Sequence, residues 1–193
     1  MTKKDIIDKA KENNGYVFYK ELRRLGFNPT TMTRLENDGT FRKIDRGIHL
    51  LEGYEADPFF ILSRKYSNLV FSHSTALYLN GLSNRSLQGF EATFPHSSRI
   101  PSAMDLKCYT TRTKNYNLGK GVVLTPYGNS VPCYDAERCI CDIFAFDDIE
   151  YESKAFAINE YMKRIDFDKL YSYAKELRIY DRVREVFEVL AWR

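Results

Sequence analysis

The 193-residue chain has no apolar run approaching the roughly 18–20 residues of a membrane-spanning helix. Its opening, Met1-Thr2-Lys3-Lys4-Asp5, is polar and runs into amphipathic sequence, unlike a secretory signal. Cysteine is scarce: four residues, at 108, 133, 139 and 141, with no Cys-x-x-Cys. The three histidines, His49, His73 and His96, all lie away from ligand spacing to a cysteine, so a zinc site is not expected. The one close pair, Cys139-x-Cys141, falls in an apparently helical stretch, where residues two apart point to different faces. Free buried thiols in a reducing compartment are the expectation. Internal repeats and low-complexity tracts are absent, as are a Walker loop, Gly-x-Ser-x-Gly and His-Glu-x-x-His. These absences predict a soluble, cytoplasmic protein with no membrane partner, no metal, no cofactor and no catalytic residues.

Aromatic residues are plentiful instead, at 15%, with 14 Tyr and 13 Phe. A disordered chain would have few. With 44% hydrophobic residues the chain can build one medium core or two small ones. The net charge of +3 is unevenly placed. Residues 1–53 hold 11 Lys and Arg against 8 Asp and Glu, while residues 54–193 hold 18 of each sign. The whole positive excess therefore sits in the first quarter, where a local basic surface for phosphates could form.

Helical periodicity begins at residues 3–12, with Ile6, Ile7 and Ala10 on one face, and Asn13-Asn14-Gly15 stops it. A second helix spans Tyr19 to Leu25, with Leu22 and Leu25 inward, Lys20, Arg23 and Arg24 outward, and Gly26 as terminator. Asn28 suits the N-cap and Pro29 the first position of a third helix, which runs to about Asp38 and ends at Gly39. Residues 41–51 then read as a hairpin turning at Asp45-Arg46-Gly47. Three short helices and a hairpin make the winged helix-turn-helix arrangement.

Glu52 to Asp57 reads as a linker, which places the domain boundary between a segment 1–53 and a segment 54–193. Pro58 to Tyr66 is helical, and Ser72 or Ser74 caps another helix through Leu79. Residues 90–94, 106–110 and 122–125 read as strands, with one more between Asn129 and Tyr134. Four helical stripes follow from Asp135 onward, with Asp166 and Asp181 as caps of the last two. The expected class is α+β: an N-terminal winged helix-turn-helix, then a larger mixed α/β domain with a small central sheet and C-terminal helices.

At about 100° per residue, Met32 and Leu35 define the buried face of the third helix. Thr30 and Asn37 then point away from it, and Thr33 and Arg34 lie within the outward arc. Such a face can reach base edges and phosphates in a major groove. Lys20, Arg23 and Arg24 could contact the flanking backbone, and Arg42, Lys43 and Arg46 sit where a wing meets backbone or minor groove. The plain alternative is a solvated polar face.

Three sequence blocks carry a resemblance. The first is Gly15-Tyr16-Val17, Glu21-Leu22, Gly26, Leu35 and Asp38 to Ile48; the second is Ser72 to Leu82; the third is Tyr134 to Asp142. In this order they resemble the AbiEi-type antitoxins of the bicistronic AbiE abortive-infection (phage-defence) systems, classed as type IV toxin-antitoxin systems. The resemblance implies two roles. An N-terminal domain would repress its own operon by binding inverted repeats in double-stranded DNA. A C-terminal domain would neutralise a nucleotidyltransferase-like toxin without needing a stable complex. The DNA-reading helix and wing of the family fall on Thr30, Thr31, Thr33, Arg34, Arg42, Lys43 and Arg46; Asn28 and Asn37 flank them. Glu137, Arg138 and Asp142 match a family motif and read either as an outward effector surface or as a structural set within the helix.

An ordinary winged-helix regulator with a sensor domain and no toxin is the alternative. His73, at a helix start, reads as a hydrogen-bonded structural histidine. Asp105-Leu106-Lys107 with Glu91 fits an acid plus acid-x-Lys nuclease pattern, but a match this short arises by chance, and no enzymatic activity is expected.

Overall fold

The computed structural model describes residues 2–102, 105–146 and 149–191, which hold ten helices and eight strands in a mixed α+β architecture. Two units divide it: residues up to Leu62 with Tyr127–Asn129, and Ser63–Pro126 with Ser130–Arg193. No helix among the described residues is long and apolar enough to cross a membrane.

The first unit begins with α1 (Lys3–Glu12), opened by a capping box. Asp5 donates its amide to the Thr2 hydroxyl at 3.3 Å, and the Asp5 carboxylate accepts the Thr2 amide at 2.6 Å. Ile6 and Ala10, four apart, are its buried residues. The turn after it takes two left-handed residues, Asn14 (φ 48°) and Gly15 (φ 85°). A Cβ at Gly15 would lie 2.5 Å from Cγ of Tyr54, so only glycine fits.

Strand β1 (Tyr16–Phe18) follows, wholly buried, and runs straight into α2 (Tyr19–Arg24). Asn28 caps α3 (Pro29–Asn37): its Oδ1 accepts the Thr30 amide at 3.1 Å and the Thr30 hydroxyl at 2.9 Å. Strands β2 (Phe41–Asp45) and β3 (Ile48–Leu51) form the expected hairpin, with a bulge between Lys43 and Asp45. β1 pairs antiparallel with the other edge of β3, giving the order β1-β3-β2. Val17, Leu22, Phe27, Met32, Leu35, Phe41 and Leu51 join Ile6 and Ala10 in the core.

The linker expected over 52–57 falls inside this unit. The Asp57 amide donates to the Tyr16 hydroxyl at 2.6 Å, and the Asp57 carboxylate accepts the Phe60 amide at 3.1 Å, which caps α4 (Pro58–Lys65). Asn129 donates to that carboxylate at 2.9 Å and accepts from Asn14 at 2.9 Å, so Tyr127–Asn129 belongs here too.

The second unit is built on a five-stranded mixed sheet. Its strands are β4 (Val70–Phe71), β5 (Phe90–Pro95), β6 (Leu106–Thr111), β7 (Lys120–Leu124) and β8 (Ser130–Tyr134), in the order β6-β5-β4-β8-β7. β5 and β6 are parallel, as are β4 and β8; the other pairs are antiparallel. Helices α5 (His73–Leu79) and α6 (Thr113–Asn117) lie against β5. Helix α7 (Ala136–Ala145) contacts α5, α8 (Tyr151–Met162), α9 (Phe167–Glu176) and α10 (Tyr180–Ala191). Phe187 of α10 sits among the rings of Phe144, Tyr161 and Phe167. Asp166 caps α9 as expected, through the Lys169 amide at 3.0 Å. Asp181 does not cap α10: the helix starts one residue earlier, at Tyr180, and Asp181 lies in its first turn, where its charge suits the helix dipole.

Candidate functional site

Helix α3 presents the polar face that its periodicity implies. Met32 and Leu35 are buried, while Thr30, Thr33, Arg34 and Asn37 are exposed and Thr31 is half-buried. Its first turn holds no acidic residue, so nothing there repels a phosphate. The Asn28 side chain is committed to capping. On α2, Lys20, Arg23 and Arg24 are exposed. So are Arg42 and Lys43 on β2 and Arg46 in the turn that follows. Arg42 also donates to the Tyr54 carbonyl at 2.8 Å, which holds its guanidinium beside the hairpin.

A contact not foreseen from sequence fixes α3 on the sheet. Glu36 Oε1 lies 2.9 Å from Nε2 of His49, which is buried on β3. Burial pushes the His49 pKa down, against the attraction of Glu36. Among the described residues, its Nδ1 meets no hydrogen-bond partner.

The α7 set behaves differently from expectation. Glu137, Arg138 and Asp142 are not an outward surface: they are 8%, 6% and 4% exposed. Arg138 donates from Nε to Asp142 at 2.8 Å and from Nη1 to the carbonyls of Asn115 at 2.6 Å and Leu118 at 2.9 Å. Its guanidinium lies 4.4 Å from the centre of the Tyr134 ring. Burial raises the Asp142 pKa, and Arg138 works against that. Glu137 pairs with Lys169 at 2.8 Å and accepts from Tyr161 at 3.3 Å. Asp135 caps the helix through the Arg138 amide at 2.9 Å and also pairs with Lys169 at 3.1 Å. Three later helices pack on α7, and Asn115, Leu118 and Tyr134 enclose Arg138, so this motif clasps the second unit together. Gly119 belongs to the same clasp: a Cβ there would meet Cβ of Arg138 at 2.6 Å.

The parallel pairing of β5 and β6 puts Glu91 opposite Lys107. The Glu91 carboxylate accepts the Ser74 amide at 2.8 Å, the Ser74 hydroxyl, and the Tyr109 hydroxyl at 2.8 Å; Lys107 Nζ lies 3.4 Å away. Burial opposes ionisation of Glu91, but the donors from Ser74 and Tyr109 outweigh it and hold the pKa below the usual range. Burial, first, and the neighbouring Glu91 push Tyr109 up to about 12. His73 is buried with φ 50°, its Nδ1 2.9 Å from the Ser72 hydroxyl and its ring stacked on Tyr109 at 3.7 Å. These side chains line a depression of about 330 Å³ that also takes in Arg85, Leu87, Ile149 and Glu150. Asp105 lies with Glu91 and Lys107 on an adjoining hollow of about 250 Å³. Among the described residues, no three His, Cys, Asp or Glu side chains are grouped to hold a metal ion. All four cysteines are free.

No protein-family model matches the sequence, and no curated protein matches it. Among solved structures, the chain is similar in fold to the crystal structure of the RV2827C protein from Mycobacterium tuberculosis, at 13% identity and a TM-score of 0.59, over 88% of this chain and 70% of that one.

Proposed function

We propose that this protein is a DNA-binding autorepressor and antitoxin: its first unit binds inverted repeats in its own promoter, and its second neutralises a nucleotidyltransferase-like toxin encoded beside it. The observation that carries the DNA reading is α3, a capped helix with Thr30, Thr33, Arg34 and Asn37 exposed over buried Met32 and Leu35. The order α1-β1-α2-α3-β2-β3, with sheet order β1-β3-β2, supports a winged helix-turn-helix. In this reading α3 enters the major groove, and the β2-β3 turn with Arg46 is the wing. Arg34 reads a base edge, while Lys20, Arg23, Arg24, Lys43 and Arg46 meet phosphates and supply affinity without sequence preference.

The antitoxin role rests on the three-block resemblance to AbiEi-type proteins. Two of those blocks form α5 and α7, which pack on each other inside the second unit. Their residues then act as framework, and the neutralising surface lies on other, exposed residues of that unit. No step of this activity requires the protein to be an enzyme or to hold a cofactor.

The test uses the full chain. Mobility shifts with its own upstream DNA should give a retarded complex that an Arg34/Arg42/Arg46 triple alanine variant fails to form. Unchanged affinity in that variant removes the proposed DNA face. Co-expression with the adjacent reading frame should restore growth that this frame alone arrests. A metabolic gene as neighbour, with no growth arrest, would support a sensor-type regulator instead.

A further inference from the structure

Residues 54–193 hold as many acidic as basic side chains, yet the basic ones are unevenly spread. Arg112, Lys114, Lys175 and Arg178 line one hollow of about 570 Å³ in the second unit, formed by the start of α6 and the end of α9. All four are exposed. Glu176 is the one carboxylate among the described residues of that lining, and its partner is Lys114. Both members of this pair are exposed, at 78% and 43%, so exchanging it for another anion is nearly neutral in free energy. Lys175 keeps its charge, with Nζ 5.0 Å from the centre of the Tyr180 ring. Among the described residues, neither Arg112 nor Arg178 forms an ion pair. Four cations thus face one carboxylate, and a concave site with such a surplus of positive charge attracts anions.

The end of α9 holds Arg178 in place at a cost. Ile179 donates its amide to the Ala174 carbonyl at 2.9 Å and Arg178 donates to the Lys175 carbonyl at 3.1 Å, the pair of bonds that closes a Schellman motif. The residue at this turn is left-handed, with φ 60°, where glycine sits without steric cost. An arginine bears the strain here, and its side chain lines the hollow. The same two bonds occupy helix-end carbonyls that would otherwise repel an anion. On the α6 side, Arg138 holds the Asn115 carbonyl at 2.6 Å, so α6 is anchored to the α7 clasp and the hollow is preformed. The volume lies within the range of small-molecule pockets, and the cations are gathered in one hollow rather than strung along a groove that would track a polymer backbone. Among the described residues, the lining holds one apolar side chain, Leu177, and no aromatic ring on which a base could stack.

We propose that this hollow binds a compact polyphosphate group, two or three phosphates in a row, held by Arg112, Lys114, Lys175 and Arg178. Arg112 and Arg178 take phosphate oxygens in their planar forks, and the two lysines add point charges. Recognition stops at the phosphates, because the lining offers nothing to read a base or a sugar. The site lies wholly in the second unit and stands apart from the DNA reading of the first.

The experiment titrates the full-length, isotope-labelled protein with tripolyphosphate, inorganic phosphate and adenosine triphosphate, following amide shifts in magnesium-free buffer at a fixed ionic strength of about 0.15 M. Tripolyphosphate should shift amides of residues 112–117 and 175–179 with a Kd below about 1 mM. Inorganic phosphate should bind at least about tenfold more weakly, since it meets fewer of the four cations. Adenosine triphosphate identifies the source of the phosphates: affinity within about threefold of tripolyphosphate assigns the tail of a nucleotide whose base stays outside, and a larger loss assigns free polyphosphate. Arg112→Gln should weaken tripolyphosphate binding about tenfold with the melting temperature unchanged. Arg178→Gly should weaken it about as much without lowering the melting temperature, because glycine suits the left-handed turn. Inorganic phosphate binding as tightly as tripolyphosphate overturns the proposal, as do shifts confined to the basic residues of the first unit or binding unchanged in both variants. Random-sequence duplex DNA that displaces tripolyphosphate from these amides also overturns it, by making the hollow a nucleic-acid surface.

Discussion

Replacing Arg138 with alanine removes the centre of the α7 clasp. Three losses follow from the geometry. Asp142, 4% exposed, loses the guanidinium 2.8 Å away and is left as a buried carboxyl group with no cation to offset its burial. Removing one partner of a buried pair typically costs about 3–5 kcal/mol. The carbonyls of Asn115 and Leu118 lose a charged donor, each a loss on the order of 1–3 kcal/mol when left buried. These losses share one side chain and do not add in full, so a total of about 4–6 kcal/mol is reasonable. Domains are stable by only about 5–15 kcal/mol, so Arg138→Ala should leave the second unit barely folded. The assay is urea unfolding by circular dichroism, with amide exchange in α7 locating the weakened region. An Arg138→Met/Asp142→Leu double variant should recover part of the loss, because no charge is then stranded. A stability within about 0.5 kcal/mol of the parent for Arg138→Ala would refute this reasoning and return the motif to the surface. If neutralisation is lost in Arg138→Ala but present in the double variant, the motif acts through folding.

Other expectations follow from the first unit. Arg34→Ala should weaken operator binding by about 1–3 kcal/mol and relax specificity, whereas Lys43→Ala or Arg46→Ala should weaken specific and random DNA alike and lower the salt slope by about one each; equal effects from all three in salt-series mobility shifts would sink this division. Gly15→Ala should destabilise the unit by more than the roughly 1–2 kcal/mol of a left-handed alanine, since its methyl group also meets Tyr54; a melting temperature equal to the parent's would contradict the turn geometry. Because burial depresses the His49 pKa below its ordinary 6.5, the unfolded chain takes up protons first as pH falls. The first unit should thus be fully stable above about pH 6.5 and weaken below it, and His49→Gln should flatten that slope; an identical pH profile of first-unit amide exchange in both proteins would disprove it.

Much of the first unit was legible in its local chemistry. Asn28 and Pro29 announce a helix start, Gly26 and Gly39 announce ends, and the 3.6-residue period separates Met32 and Leu35 from Thr30, Thr33 and Arg34. Strand β1 escaped because Tyr16-Val17-Phe18 is too short and too uniformly apolar to show a period of two, and β4 has only two residues. The polar side of α7 misled for a deeper reason. Periodicity reports which residues differ in polarity, and polar is then taken to mean outward. Arg138 lies inside because its partners, Asn115, Leu118 and Tyr134, come from segments that no local pattern links to it. The Glu91 and Lys107 pairing was equally invisible until the parallel register of β5 and β6 was known, although the acid-x-Lys spacing marked the right strand.

The assignment of Tyr127–Asn129 to the first unit bears on how the protein can be dissected and how it can evolve. A cassette that is continuous in sequence can be cut out, transplanted or fused by one recombination event. This one is interrupted: a fragment ending anywhere between residues 57 and 126 leaves Asn129 behind, so Asp57 and Asn14 each lose a partner, and one ending at residue 53 removes Asp57 as well. Truncations at the charge boundary therefore test a damaged first unit, and point variants in the full chain are the sound genetic tool. The same interruption makes the two units one heritable block, so the exposed face of α3 changes by substitution rather than by shuffling.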